Sequence, residues 1–478
     1  MRRKTPLTAA AMLGLALLAP TTSAGAAGET CRGEAATIVG TGSTLTGTEG
    51  RDVIVTGAAT EVDALGGDDL ICVVPVRTNF NVLDVDAGTG NDVVDTAGAS
   101  QNYYVDIDLG PGADLFEGGA SDDTVLTGDA DGVTTEVDTV RTGTGNDGVT
   151  TSGGSDVVDL GVGDDRLELQ GLRTAADGLL AGGEGLDTFR AAVGSPGGDA
   201  FDMAAGTYRT DGALALFSSF EGLELQARSA SIDYSGTNGP DYLNVRFLDS
   251  STSTLVADLL GGDDRAQLDG TALGAGSRID AGAGVDDLVA ARSKGTLALD
   301  LEEGELEVGD DVFNAAGVED AFLMARRVSL IGDEQDNTLV AFGCTTSIVG
   351  GRGDDELIFD PDYVFETYSY SCSRSSVMRG GAGADSFYGS PGPDRLLGGG
   401  GDDILRGDPG ADRIVGGAGA DRVEAGTGDD VVRGGSGADK LLGEEGRDIL
   451  RGEGGRDLAD GSAGRDSCVA ERERKCER

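Results

Sequence analysis

Aspartate recurs every nine residues toward the end of this chain, at Asp385, Asp394, Asp403, Asp412, Asp421, Asp430, Asp439, Asp448, Asp457 and Asp466. A glycine stands two residues before each. Two residues after each comes Phe387, Leu396, Leu405, Ile414, Val423, Val432, Leu441, Leu450, Ala459 or Cys468. Carboxylates at constant spacing are hard oxygen ligands, and with backbone carbonyls they suit Ca²⁺, which takes six to eight oxygens. Aspartates that merely capped turns would not need a glycine two residues earlier ten times in succession. The chain has no His. That excludes a Ser-His-Asp triad, a His-paired Cys nucleophile and an HExxH zinc site.

The elements that would hold these carboxylates follow from the same nine residues. Glycine tolerates positive φ, so the first six residues can curl into a loop. The last three make a short strand with one apolar side chain turned inward. Two nonapeptides make a full turn, and only a stack of turns can bury the apolar positions. Ten nonapeptides run without a gap from Gly380 to Val469 in the pattern GGxGxDxUx. Over these residues the chain resembles the RTX, or hemolysin-type, calcium-binding repeat family. The resemblance implies an all-β fold, a right-handed parallel β-helix or β-roll solenoid. It also implies calcium between each loop and the equivalent loop two repeats on. Two columns of five loops would then hold about eight ions. RTX toxins and proteases are commonly exported by a C-terminal signal and are poor in cysteine. This chain looks more like the secreted calcium-binding repeat proteins of Gram-positive bacteria, and no helical toxin domain precedes its repeats.

The totals agree with a cation partner. Among 478 residues there are 85 acids against 36 bases, a formal net charge of −49 and no Trp. Such a chain lacks the basic patches that nucleic acid requires. High acid with few aromatics often marks disorder, but a disordered coil does not keep apolar residues in register. Residues 1–26 read as an export signal: a basic start at Arg2, Arg3 and Lys4, an apolar run from Leu7 to Ala19, and a small-residue cleavage site. The expected location is secreted, with no transmembrane segment in the mature chain. Six cysteines, Cys31, Cys72, Cys344, Cys372, Cys468 and Cys476, suggest disulfides in an exported protein. Their grouping favours Cys31–Cys72, Cys344–Cys372 and Cys468–Cys476, although other pairings remain open.

Residues 27–349 carry the same loop at wider spacing, as in ALGGDD (64–69), AGTGND (87–92) and LGVGDD (160–165). The candidate ligands here are Asp69, Asp92, Asp114, Asp123, Asp147, Asp156, Asp165, Asp187, Asp241, Asp264 and Asp286. The stretches between loops alternate like strands, as in NVLDVDAG (81–88). This predicts larger coils with one calcium-type loop per turn. A tandem duplication relates about 160–258 to 259–345, since FDMAAGTY (201–208) matches LDLEEGEL (299–306). In the second copy the loop IGDEQDNTL (331–339) has lost its later glycine, so calcium there should be weak or absent. The tight repeat restarts at 350, with Asp355 as ligand, and continues to 469 around a loop inserted at 359–379. That loop carries Tyr363, Tyr368 and Tyr370, which read either as a contact patch or as a cover over the junction of wide and narrow coils. A charged tail, 470–478, closes the chain.

The function expected from these features is a secreted, non-catalytic calcium-binding repeat protein. Its folding would be coupled to Ca²⁺, and it would act as an extracellular scaffold or as an interaction protein for a glycan or another protein. A β-helix polysaccharide lyase or epimerase carrying such modules is the alternative from another class. A cell-surface adhesin is a third reading.

Overall fold

The computed structural model describes residues 29–476 except 75–80, 100, 102, 129–135, 152–154, 171–178, 212, 249–251, 271 and 360–371. The export signal expected at 1–26 and the tyrosines at 363, 368 and 370 lie outside the described residues.

Each turn of chain contributes one strand to each of two long parallel sheets, and the turns stack into a solenoid. In the C-terminal array the register advances by two nonapeptides. Leu396 pairs with Ile414, and Leu405 with Val423. The chain alternates sheets because six loop residues reverse it and three strand residues cross the coil. The first sheet runs from Ile38–Val39 to Ser467–Val469, the second from Thr44–Thr48 to Arg472–Arg474. Pairing proceeds in order along each, so both are open ladders whose strands face each other across the core.

That core is a double file of the apolar residue that follows each loop. Leu396, Ile414, Val432 and Leu450 line one wall, while Phe387, Leu405, Val423 and Leu441 line the other, all with no exposure. Each such side chain contributes roughly 1.5–3 kcal/mol by leaving water. The file continues upstream through Phe116, Val125, Val140, Val149, Val158 and Leu167. Disulfides join Cys31 to Cys72, Cys344 to Cys372 and Cys468 to Cys476. No helix among the described residues is long and apolar enough to cross a membrane.

Two features depart from a plain stack. First, the wide coils are not uniform. Thr139 pairs with Val157 and Gly148 with Arg166, an advance of 18 residues, so a narrow coil with loops on both sides is set within the wider region. The expectation of one loop per turn upstream of 350 does not hold there. Asp138 completes this coil without any glycine among the five residues before it, apart from Gly132 further back. Second, the first sheet has four more strands than the second, and two hairpin excursions supply them. In one, Asp199–Asp202, Thr207–Thr210 and Ala213–Ser218 run antiparallel. In the other, Thr296–Asp300, Glu305–Val308 and Asp311–Ala316 do the same. The segments FDMAAGTY and LDLEEGEL form the first turn of each excursion. Aromatic rings fill the space under the first, with Phe201 stacked on Tyr208 at 4.2 Å and Phe189 on Phe217 at 5.4 Å.

Because Ile414 has no exposure and is held in a closed file, Ile414→Ala leaves a cavity. In saturating calcium it should lower stability by about 2–5 kcal/mol. Urea unfolding is the check, with a lower midpoint and an unchanged slope as the expected result.

Candidate metal centre

The aspartates at the sixth loop position are buried at the corners between loop and strand. Asp385, Asp403, Asp412, Asp421, Asp430, Asp448, Asp457 and Asp466 are each 1% exposed. One carboxylate oxygen of each is tied down. Its Oδ1 accepts the backbone N–H of the equivalent residue one turn earlier. Asp385 N–H donates to Asp403 Oδ1 at 2.9 Å, Asp403 to Asp421 at 3.0 Å, Asp421 to Asp439 at 3.0 Å and Asp439 to Asp457 at 3.0 Å. The hydrogen bonds therefore run the length of the stack as columns.

Three columns result. One follows the first sheet through Asp52, Asp69, Asp92, Asp114, Asp138 and Asp156. A second follows the first sheet again from Asp394 through Asp412, Asp430 and Asp448 to Asp466. The third follows the second sheet in three runs. Asp123, Asp147, Asp165 and Asp187 end on Glu221. Asp241, Asp264 and Asp286 end on Glu319. Asn337, Asp355, Asp385, Asp403, Asp421, Asp439 and Asp457 end on Glu471. Every aspartate singled out from the sequence thus stands in a column. Asp52, Asp138, Asn337, Glu221, Glu319 and Glu471 stand in them too and were not among the candidates. Asp52 could have been found from its own GTEGRD loop. Glu221 and Glu319 share the offset of the duplication, and each precedes a strand as the aspartates do.

The second oxygen is the telling one. Among the described residues, eighteen column aspartates bury an Oδ2 that has no hydrogen-bond partner, from Asp69 to Asp466. The position-2 residue of each of these loops has a positive φ. It is +129° at Gly381, +123° at Gly399 and +125° at Gly417. The same holds where the residue is not glycine: Leu65 and Leu260 at 71°, Asp408 at 62°, Glu444 and Glu453 at 72° and Ser462 at 64°. Non-glycine residues rarely adopt this conformation, and it is found where surrounding structure enforces it. Where the first residue of the loop is glycine, it lies tight against the carboxylate. A Cβ on Gly380 would sit 2.0 Å from Asp385 Oδ2, and one on Gly398 2.2 Å from Asp403 Oδ2. At the fourth position a Cβ on Gly437 would lie 1.6 Å from the carbonyl oxygen of Gly419, one turn earlier. The loops therefore stack backbone on backbone.

A buried oxygen without a donor, stacked loops of backbone carbonyls and a fourth-position glycine pressed against the preceding loop together fit a hard cation. Among the described residues no three Asp, Glu or Cys side chains converge on a point. A centre here would thus take about one carboxylate per loop and draw its other ligands from backbone oxygens, as Ca²⁺ accepts and Zn²⁺ does not. The residues that would hold it are the eighteen aspartates with an unpaired Oδ2. Asp123, Asp156, Asp241 and Asp394 differ, because hydroxyl or N–H donors reach their second oxygens. Thr96 reaches Asp123, Thr127 reaches Asp156, Thr237 reaches Asp241 and Ser390 reaches Asp394.

Electrostatics point the same way. Burial pushes the Asp403 carboxyl up to about 7, and the charges of Asp385 and Asp421 add to it. Burial likewise raises Asp412 to about 8 and Asp439 to about 6. Without a cation, these folded carboxyls hold protons that the unfolded chain releases near pH 4. Stability of the metal-free fold is therefore greatest below about pH 4 and falls as pH rises toward 6–8. Thermal melts of metal-free protein from pH 4 upward should show a falling midpoint, with the transition lost by about pH 7.5. In saturating calcium the trend should reverse, because the metal requires the deprotonated form.

The family model for the RTX calcium-binding nonapeptide repeat matches residues 107–133, 134–167, 379–414, 406–441 and 433–468. The second of these spans the narrow coil of Asp138 to Asp165. A search among curated proteins finds no match. Among solved structures, the chain is similar to a hyperactive, Ca²⁺-dependent, β-helical antifreeze protein from an Antarctic bacterium. The likeness covers 87% of this chain and 83% of that one at 15% identity and a TM-score of 0.16, so nothing about ligand or activity is carried across. Residues 107–167 and 379–468, where nonapeptide loops, buried aspartate columns and parallel solenoid coincide, thus carry RTX-type calcium-binding nonapeptide repeats.

Proposed function

We propose that this is a secreted, non-catalytic protein whose folding waits for extracellular Ca²⁺, and that the folded solenoid serves as a scaffold or interaction surface outside the cell. One observation carries the reading: the file of buried aspartates whose Oδ2 atoms lack any partner. A charged oxygen in that state costs several kcal/mol. The columns repeat the cost at eighteen aspartates and add repulsion between neighbours. A bound divalent cation reverses both effects, so its binding free energy becomes folding free energy. Calcium is scarce inside cells and plentiful outside, which would delay folding until export.

Several features support the extracellular part. Residues 1–26 have the composition of an export signal, and all six cysteines pair in disulfides. The outward strand positions carry charged and polar side chains in rows, such as Glu168, Arg190, Glu224, Asn244 and Gln267. Such faces suit contact with a glycan or protein, and nothing in the column geometry calls for a reacting substrate.

Circular dichroism of the mature protein, followed through a calcium titration at pH 7.5, tests the coupling. Calcium should produce a cooperative gain of β signal that chelator reverses and that magnesium does not reproduce. A spectrum already complete in chelator and unmoved by calcium would sink the reading.

A further inference from the structure

Four loops have a second geometry that the repeat pattern alone does not reveal. In 47–52, 236–241 and 389–394, position 2 is Thr48, Thr237 or Ser390, and none of these has a positive φ. The position-2 N–H instead points into the loop. It donates to its own loop's carboxylate, Thr48 to Asp52 Oδ2 at 2.8 Å, Thr237 to Asp241 Oδ2 at 2.6 Å and Ser390 to Asp394 Oδ2 at 2.6 Å.

The hydroxyl joins in. Thr48 Oγ1 is 2.9 Å from Asp52 Oδ2 and 3.0 Å from the Gly50 carbonyl. Thr237 Oγ1 is 3.3 Å from Asp241 Oδ2 and 3.1 Å from the Gly239 carbonyl. Ser390 Oγ is 2.7 Å from Asp394 Oδ1. In each case a hydroxyl lies against oxygens of the kind a cation would bridge. The fourth loop, 332–337, makes the same closure with a neutral side chain, the Asp333 N–H donating to Asn337 Oδ1 at 2.9 Å.

Side-chain type is not what separates the classes. Ser462 also occupies position 2, yet it has a φ of 64°, and the Oδ2 of its Asp466 is unpaired. What the four closed loops share is place, at the head of a run; the remaining head, Asp123, takes its donors from Ser121 and Thr96 instead. Asp52 begins the first-sheet column, and Asp394 begins the later one, with only Ser376 before it. Asp241 opens the run after Glu221, and Asn337 the run after Glu319. An open loop presents its Oδ1 to an N–H of the preceding column residue, while a loop at the head of a run lacks a stacked calcium-type loop on that side. Closing on itself satisfies the oxygen that no cation-binding neighbour serves.

We propose that these four loops are calcium-free starting turns, in which the position-2 N–H, with a hydroxyl in three of them, replaces the cation and gives the adjoining open loop a folded neighbour before calcium binds. The templating half rests on the calcium-coupled folding proposed above; the absence of calcium from these loops does not.

Two experiments on the full mature protein, disulfides intact, test it. Bound calcium is counted by equilibrium dialysis and elemental analysis in Asp241→Asn and in Asp264→Asn. Asn337 shows that an amide oxygen can accept the closing N–H, so Asp241→Asn should bind as many ions as the unaltered protein. Asp264→Asn, in an open loop, should lose at least one. Equal losses in both variants would overturn the proposal. The second experiment needs no variant. In chelator, the amides of Thr48, Thr237 and Ser390 should exchange hydrogen at least about tenfold more slowly than those of Gly399 and Gly417, as expected of locally stable turns. Equal rates would overturn the templating half. If the unaltered protein bound no calcium, the coupled-folding reading would fail instead, and the exchange comparison would still decide whether the closed loops stand alone.

Discussion

The structure depends on one unfavourable arrangement: a buried carboxylate oxygen that receives no hydrogen bond, repeated at successive turns. The strand residues on either side are well served, with every apolar file closed and the loops bonded backbone to backbone. The aspartate columns are served by half. Their Oδ1 atoms carry the hydrogen bonds that set the spacing between turns, while their Oδ2 atoms wait for a cation. The same residue therefore fixes the spacing of the stack and leaves one buried oxygen unserved. Ion pairs do not relieve this. Those among the described residues, such as Arg190 with Glu168 at 3.4 Å and Glu224 at 3.2 Å, lie on outer faces and touch no column. Exposed pairs of this kind contribute about 0–1 kcal/mol each.

The backbone is shaped to the same end. An open loop holds its second residue at positive φ even where that residue is Leu65, Glu444 or Asp408. Those positions accept local strain, and the Oδ2 beside them receives no donor. The closed loops make the opposite choice, and they stand at the heads of runs. Glutamates stand at the ends of three runs, where Glu221, Glu319 and Glu471 each accept the last aspartate N–H with the longer side chain. Heads and ends thus have their own chemistry, as capping units do in other repeat folds.

The C-terminal array was legible from sequence because each unit repeats the same nine roles, and a period of nine with a glycine-bounded acid fits few structures. The aspartates of the wide coils were legible from the same six-residue loop at wider spacing. Asp138 was not, since the residues before it, TTEV, offer no glycine to mark a loop. The two hairpin excursions were recognised as a repeat but not as antiparallel strands. Alternating polar and apolar residues look alike whether a strand joins its neighbour in parallel or folds back on itself. The distinction between open and closed loops was invisible for a deeper reason. It lies in the sign of one backbone angle, and Ser390 and Ser462 show that one residue type can take either.

Small-angle X-ray scattering of the disulfide-intact mature protein at pH 7.5, with calcium and with chelator, tests the central claim most directly. The expected result is the compact profile of a stacked rod in calcium and an expanded, chain-like profile in chelator, because burying unneutralised columns is too costly. The same rod-like profile in both conditions would contradict it and would show that the apolar files and the three disulfides hold the solenoid without a cation.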